Sequence, residues 1–295
     1  MSFAVDNAPV RPDLVFDVGA HRGEDSAFYL RLGYQVVAVE ANPELVAGLR
    51  ERFAGEILSG QLEVVPYAID ENEGDVLFYV NKKLSVWGTT SADWARRNQG
   101  LGADSEVVRV GSVAFATLLR QHGVPHYLKI DIEGADLQCV RALSGFAARP
   151  RYLSLESTKT SWRALLAEFD LLESLGYDRF QVVNQRHHRK RNGIYVELSG
   201  ARFGYAFPPD SSGPFGECLG GEWLTRREAL ARYRWIFLGY FLFGDNTPGA
   251  RLVRRIPFLR RALRHVSWYD THARHRGAPV RPPDEQQISG IRTSV

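Results

Sequence analysis

This sequence predicts an α/β fold, a mostly parallel sheet covered by helices on both faces. Three observations carry that expectation. Through residues 13–185, short apolar runs alternate with segments whose apolar residues recur at helical spacing. Glycines and polar caps stand at the joints. Charged residues sit directly after the apolar runs, where such sheets bind ligands.

Leu14-Val-Phe-Asp-Val18 reads as a buried first strand, Gly19 to Gly23 as a turn, and the residues up to about Leu32 as a helix stopped by Gly33. Gln35-Val-Val-Ala-Val-Glu40 is the second strand. Asn42 then caps a helix with Pro43 at its first position and Leu45, Val46, Leu49 and Phe53 on its apolar face. Leu62-Glu-Val-Val65 is the third strand, and Val76-Leu-Phe-Tyr-Val80 an additional one, read as an arm of a hairpin. Residues 81–104 read as an irregular loop over a site. Ser112 is expected to cap a helix carrying Phe115, Leu118 and Leu119. Tyr127-Leu-Lys-Ile-Asp131 is the next strand, with a helix after Gly134. Tyr152-Leu-Ser-Leu-Glu156, a helix capped by Thr160 or Ser161, and a strand from Tyr177 to Val183 complete the series. The count gives a seven-stranded sheet.

The chain has 295 residues and a net charge of +3, so the whole chain is not a strong polyanion binder. Its only cysteines, Cys139 and Cys218, form neither a disulfide framework nor a metal motif. No metal site is expected. The first eleven residues lack the apolar core of a signal peptide, and the longest apolar cluster, 235–243, is too short to span a bilayer. A cytoplasmic location is the resulting expectation.

The first strand ends in Asp17-Val-Gly-Ala-His-Arg-Gly23. Gly19 permits a tight turn against a ligand, and Gly23 a close approach at the helix start. A dinucleotide fingerprint wants a glycine where His21 stands, which disfavours a pyrophosphate. Asp17 suits a ligand with a positive amino group. S-Adenosylmethionine carries an α-amino group and a sulfonium, and NAD carries neither. Glu40, at the end of the second strand, suits both hydroxyls of a ribose. Ala68 and Ile69 are placed to flank an adenine, with Asp70 on its exocyclic amine. Acids at three successive strand ends weigh more than any one acid in an ordinary α/β turn.

Together, Asp17 to Gly23, Glu40-Ala-Asn-Pro43, Ala68-Ile-Asp70 and Lys129-Ile-Asp-Ile-Glu-Gly-Ala-Asp136 resemble the FkbM family of class I methyltransferases, over residues 13–185. The resemblance implies a Rossmann-like doubly wound fold, S-adenosylmethionine as cofactor, and O-methylation of hydroxyls on natural products and glycans. Carried over by position, Asp17, Gly19, Glu40 and Asp70 would hold the cofactor, with Ala20, His21, Gly23, Ala41, Asn42, Ala68, Ile69 and Asp131 around it.

Methyl transfer requires alignment of the acceptor, exclusion of water and removal of a proton. Lys129, Asp131 and Glu133 alternate along a strand end, so they share one side. Asp131 or Glu133 is the candidate that orients or deprotonates the acceptor. The competing account is a structural Lys129–Glu133 pair with Asp131 as a cap. His21 is a further candidate base, unless it only shapes its loop. Asp131, Glu133 and Asp136 would be the carboxylates nearest to a cation site, but no second ligand cluster accompanies them. Trp87, Thr89 and Thr90 are candidate acceptor contacts, and 211–217 is a candidate lid by composition.

After about residue 185 the sequence changes character. The expected division is a tail over 1–12, the methyltransferase domain over 13–185, a C-terminal extension over 186–276 for substrate, lid or oligomer contacts, and a disordered tail over 277–295. A basic run lies at 187–191, and residues 222–242 read as a helix. The Arg-rich segment 251–264 reads either as a contact for an acidic membrane surface or as a solvated or subunit-facing helix. Its aromatics form no stacking platform, which disfavours nucleic acid. The expected partner is a small-molecule or glycan acceptor, and a homo-oligomer stays open. Rivals to O-methylation are N-methyl transfer on the same fold, an NAD-dependent oxidoreductase, and a non-catalytic binding protein.

Overall fold

The computed structural model describes residues 5–81, 88–100, 104–132, 134–158, 161–185, 191–243 and 268–278. Its strands are β1 (Val10–Val18), β2 (Gln35–Val39), β3 (Leu62–Val65), β4 (Ala68–Ile69), β5 (Gly74–Asn81), β6 (Ser105–Val113), β7 (Val124–Ile130), β8 (Tyr152–Glu156), β9 (Tyr177–Asn184), β10 (Gly193–Val196), β11 (Arg202–Tyr205) and β12 (Tyr269–His275). Its α-helices are α1 (Glu24–Arg31), α2 (Pro43–Arg52), α3 (Ala54–Leu58), α4 (Ala92–Gly100), α5 (Phe115–His122), α6 (Asp136–Ala142), α7 (Trp162–Ser174) and α8 (Arg226–Phe243).

The central sheet has seven strands in the order β3-β2-β1-β7-β8-β12-β9. The pairs from β3 to β8 are parallel, and β12 is antiparallel to both neighbours. The α/β architecture is therefore the one expected, but its seventh strand is not. Val76 to Val80 lies outside the central sheet: β5 pairs with β6 in a three-stranded sheet with β4. Tyr269–His275, expected in a C-terminal extension, fills the gap between β8 and β9 instead.

Two apolar cores flank the sheet. One joins α5, α6, α7 and α8 to Phe16, Leu128, Leu153 and Phe180. The other joins α1 and α2 to Val15, Val36 and Tyr127, and takes in Tyr195, Phe203, Phe207 and Phe215 from beyond β9. The Phe215 ring stacks on Tyr127 with centroids 3.9 Å apart. Within the segment expected as a lid, residues 211–216 are buried.

Two local expectations differ. Ser112 lies within β6, where it bonds the carbonyls of Asn72 and Gly74, and Ala114 starts α5 in its place. The stretch 81–104 contains α4, so it is not wholly irregular. Asn42 and Ser161 do cap their helices, their side chains accepting from the backbone N–H of Glu44 and Ala164. No helix among the described residues is long and apolar enough to cross a membrane.

Glu168 on α7 is 4% exposed and accepts a hydrogen bond from Ser157, whose hydroxyl also meets Thr271 of β12; Thr271 in turn meets the Tyr233 hydroxyl. Burial pushes the Glu168 pKa up to about 8, against its bond from Ser157, with Asp136 adding to the rise. A folded pKa raised above the unfolded one means that the native state holds the extra proton. That contribution is complete below the unfolded value of about 4.3 and is lost as pH rises through the folded value. Stability should therefore fall between these limits with a slope of up to about 1.4 kcal/mol per pH unit from this group. Urea unfolding near about pH 5 and about pH 8.5 should show a smaller difference for Glu168→Gln than for wild type. An equal difference would mean that Glu168 is not protonated in the fold.

Candidate active site

The chain reverses its direction across the sheet between β1 and β7, and a cavity of about 330 Å³ opens at the carboxyl ends of these strands. This is the position that a doubly wound sheet offers a ligand. Gly19 forms its floor with φ +82°. A Cβ there would lie 1.9 Å from the Asp131 carbonyl oxygen, so close packing of two strand ends already demands glycine. Ala20 and His21 continue the wall. His21 adopts φ 52°, a conformation uncommon outside glycine, and its backbone N–H donates to Glu40 at 2.8 Å. Gly23 does not reach the cavity lining. Its φ is +78°, and a Cβ would strike the Phe53 ring at 2.4 Å, so it serves the seating of α2 rather than ligand approach.

Glu40 is 7% exposed and lines the cavity. Its other oxygen accepts from Asn42 N–H at 2.8 Å. Burial raises its pKa, and the two N–H donors work against that rise. Ala41, Asn42, Ala68 and Ile69 also line the cavity, and β5 adds Phe78. Asp70 is absent from the lining: its Oδ1 accepts from Asn72 N–H and closes a local turn.

Lys129 organises the far wall. Its Nζ lies 3.0 Å from Asp17, 3.2 Å from the Gly19 carbonyl, 3.4 Å from Asp25 and 3.9 Å from Asp131. Burial alone would lower the ammonium pKa, but the carboxylates outweigh it and the pKa is raised. Lys129 is thus a fixed cation and not a base. Asp17 is fully buried between Lys129 and the Ser26 hydroxyl and does not line the cavity. Sequence reasoning set Asp17 against the ligand; the carboxylate that reaches the lining beside Lys129 is Asp25. Asp25 is held by the Ser211 hydroxyl at 2.6 Å and by Ser212 N–H at 2.9 Å.

Asp131 has 46% of its side chain open and faces the cavity. Desolvation raises its pKa, opposed by Lys129 and His21. Two further carboxylates stand beside it. Glu156 ends β8, and Asp270 of β12 is its register partner. Desolvation raises Asp270 strongly, with Asp131 and Glu156 adding to it. Gln185 and Trp268 complete this end. None of Asp25, Glu156, Gln185, Trp268 or Asp270 was selected from sequence. The charged end of an apolar run was a signal for Glu156 alone.

The other expected residues divide. The ring Nδ1 of His21 lies 3.3 Å from Glu24, which ties the imidazole to its own loop. Asp136 accepts from the N–H groups of Ile132 and Gly134, and its pKa is raised to about 6 by desolvation and Asp131. Thr90 lines the cavity, but Thr89 is buried and pairs through its backbone with Tyr79. Trp87, Glu133 and the Arg-rich segment 251–264 lie outside the described residues. Among the described residues, no group of three or more His, Cys, Asp or Glu is placed to hold a metal ion.

The donor set fits S-adenosylmethionine. Lys129 is the single Lys or Arg among the described residues of the lining, against Asp25, Glu40, Asp131, Glu156 and Asp270. Such a wall favours a sulfonium and an ammonium and opposes a pyrophosphate. Glu40 is placed for ribose hydroxyls, while Ala68, Ile69 and Phe78 provide an apolar slot.

Removing Lys129 leaves Asp17 and Asp25 as like charges without their cation. Lys129→Met should cost about 3–5 kcal/mol in urea unfolding. Lys129→Met with Asp17→Asn should recover part of the loss. An unchanged stability in the single variant would contradict the ion cluster.

Among solved structures, the chain is similar to precorrin-6y C5,15-methyltransferase from Geobacter metallireducens GS-15, at 14% identity and TM-score 0.33, over 68% of this chain and 77% of that one. It is similar to 1,6-didemethyltoxoflavin-N1-methyltransferase from Burkholderia thailandensis, with bound S-adenosylhomocysteine, at 16% identity and TM-score 0.30, over 59% and 64%. A sarcosine dimethylglycine methyltransferase, so described, from Galdieria sulphuraria is similar at 9% identity and TM-score 0.35, over 92% and 78%. These likenesses do not bear on the acceptor. No curated protein matches the chain. The methyltransferase FkbM domain matches residues 17–179, more than half of the chain, and the chain belongs to that family of S-adenosylmethionine-dependent methyltransferases.

Proposed function

We propose that this methyltransferase acts on a hydroxyl of a sugar, glycan or natural-product acceptor. The observation that carries this reading is the acceptor end of the cavity, where Asp131, Glu156 and Asp270 sit on adjacent strands near Trp268. Carboxylates accept hydrogen bonds from hydroxyls, and an indole face covers the apolar face of a sugar ring.

S-Adenosylmethionine supplies, when bound, a methyl group on a sulfonium. The chain does the rest. Glu40 and the Gly19 turn fix the position of the donor. Asp131 faces the cavity, which places it to orient the acceptor hydroxyl and take its proton. Lys129 holds that carboxylate in place from below. Ser211 and Ser212 hold Asp25 in the lining.

The same acidic wall also favours an amine, so N-methyl transfer is the second reading. A panel of polyol and amine acceptors with labelled donor separates the two. Turnover is expected on polyols, and Asp131→Asn should lower kcat by about 10²-fold or more while leaving S-adenosylhomocysteine affinity within about threefold. The wild-type rate should rise with pH as Asp131 loses its proton, and the variant should lose that limb. Turnover on amines alone, or an unaltered kcat in Asp131→Asn, would contradict the proposal.

A further inference from the structure

The order of the strands gives the cofactor site a direction. Ala68 and Ile69 follow β3, and Glu40 follows β2. With the adenine at Ala68 and Ile69 and the ribose at Glu40, the methionine part of the donor reaches over β1 and β7. Lys129 meets three acids there, Asp17, Asp25 and Asp131. Its nearest partner is Asp17, at 3.0 Å, which does not line the cavity. Asp25 does line it, and lies farther from the lysine, at 3.4 Å.

Asp25 is 4% exposed and is oriented by a segment far away in sequence. The Ser211 hydroxyl accepts from Gly213 N–H at 3.0 Å, which turns its own proton toward Asp25 Oδ1 at 2.6 Å. Ser212 N–H donates to the same oxygen at 2.9 Å. Gly213 sits at φ +90°, a conformation open to glycine, and this closes the turn around the Ser211 hydroxyl. The contacts of Asp25 Oδ2 are longer: Ser212 N–H at 3.1 Å and Lys129 at 3.4 Å. One oxygen thus fixes the carboxylate, and the other keeps lone-pair capacity for a further donor.

We infer that Asp25 takes the α-ammonium of S-adenosylmethionine, and that Ser211 and Ser212 position it to do so. A nearly buried carboxylate whose lysine is closer to another acid gains from a second cation. A bond from an ammonium to a carboxylate is also among the stronger hydrogen bonds. Pro209 and Asp210 line the cavity beside the two serines. The segment 209–213, beyond β9 in sequence, is therefore part of the donor site. The inference rests on a donor whose ribose lies at Glu40, and it does not depend on which acceptor is methylated.

Calorimetric titration of the full chain with S-adenosylhomocysteine and with its deamino analogue, which lacks only the α-amino group, tests it. Wild type should bind the deamino analogue about tenfold or more weaker. Asp25→Asn should bind S-adenosylhomocysteine about tenfold or more weaker and the deamino analogue within about threefold of wild type, so that it no longer tells the two apart. Ser211→Ala should show the same pattern at about threefold. If Asp25→Asn does not melt cooperatively, Ser211→Ala decides by the same criterion. An equal loss for both ligands would give these residues a role in the fold alone and overturn the inference. So would wild type that binds both ligands alike, or variants that bind S-adenosylhomocysteine as wild type does. Affinity lost in Glu40→Ala but kept in Asp25→Asn would leave the ribose contact standing and remove this one.

Discussion

The site depends on one buried cation. Lys129 enters the interior on β7 and meets Asp17 from β1, Asp25 from α1 and Asp131 from the end of its own strand. An ammonium cannot be buried cheaply alone, and neither can the carboxylates. Their mutual compensation fixes the relation between the first βα turn and the end of β7. That relation sets the cavity floor at Gly19 and its wall at Asp131. Because Asp25, Glu40, Asp131, Glu156 and Asp270 outnumber Lys129 in the described lining, the cavity keeps an acidic character, which suits the sulfonium and ammonium of the methyl donor.

The later part of the chain belongs to this arrangement. Ser211 and Ser212 complete the hydrogen bonding of Asp25, and Phe215 stacks on Tyr127 below them. β12 inserts between β8 and β9 and carries Asp270 to the cavity. The cavity is therefore assembled from both parts of the sequence.

What could be read beforehand follows from the range of the forces involved. The Gly19 turn, the cap at Asn42 and the carboxylate at Glu40 arise from residues close in sequence, and local patterns reveal them. β12 was hard to read, because its alternation of Tyr269, Thr271 and Ala273 with Asp270, His272 and Arg274 is only weakly apolar. It becomes a strand by pairing with two distant partners that bury it. Asp17 was placed correctly at the strand end but given the wrong neighbour, since nothing local shows that Lys129 will reach it. Asp70 lies outside the cavity lining, where its Oδ1 accepts from the N–H of Asn72 two residues away. Thr89 and Gly23 likewise looked like site residues and are consumed by packing.

The central claim is that an acidic cavity anchored by Glu40 receives S-adenosylmethionine and not a dinucleotide. Calorimetric titration with S-adenosylhomocysteine and, in parallel, NAD tests it most directly, on wild type and on Glu40→Ala. Heat is expected from S-adenosylhomocysteine alone, with affinity about tenfold or more weaker in the variant, as for a lost charged acceptor of two hydrogen bonds. Binding of NAD, or an S-adenosylhomocysteine affinity indifferent to Glu40, would contradict it.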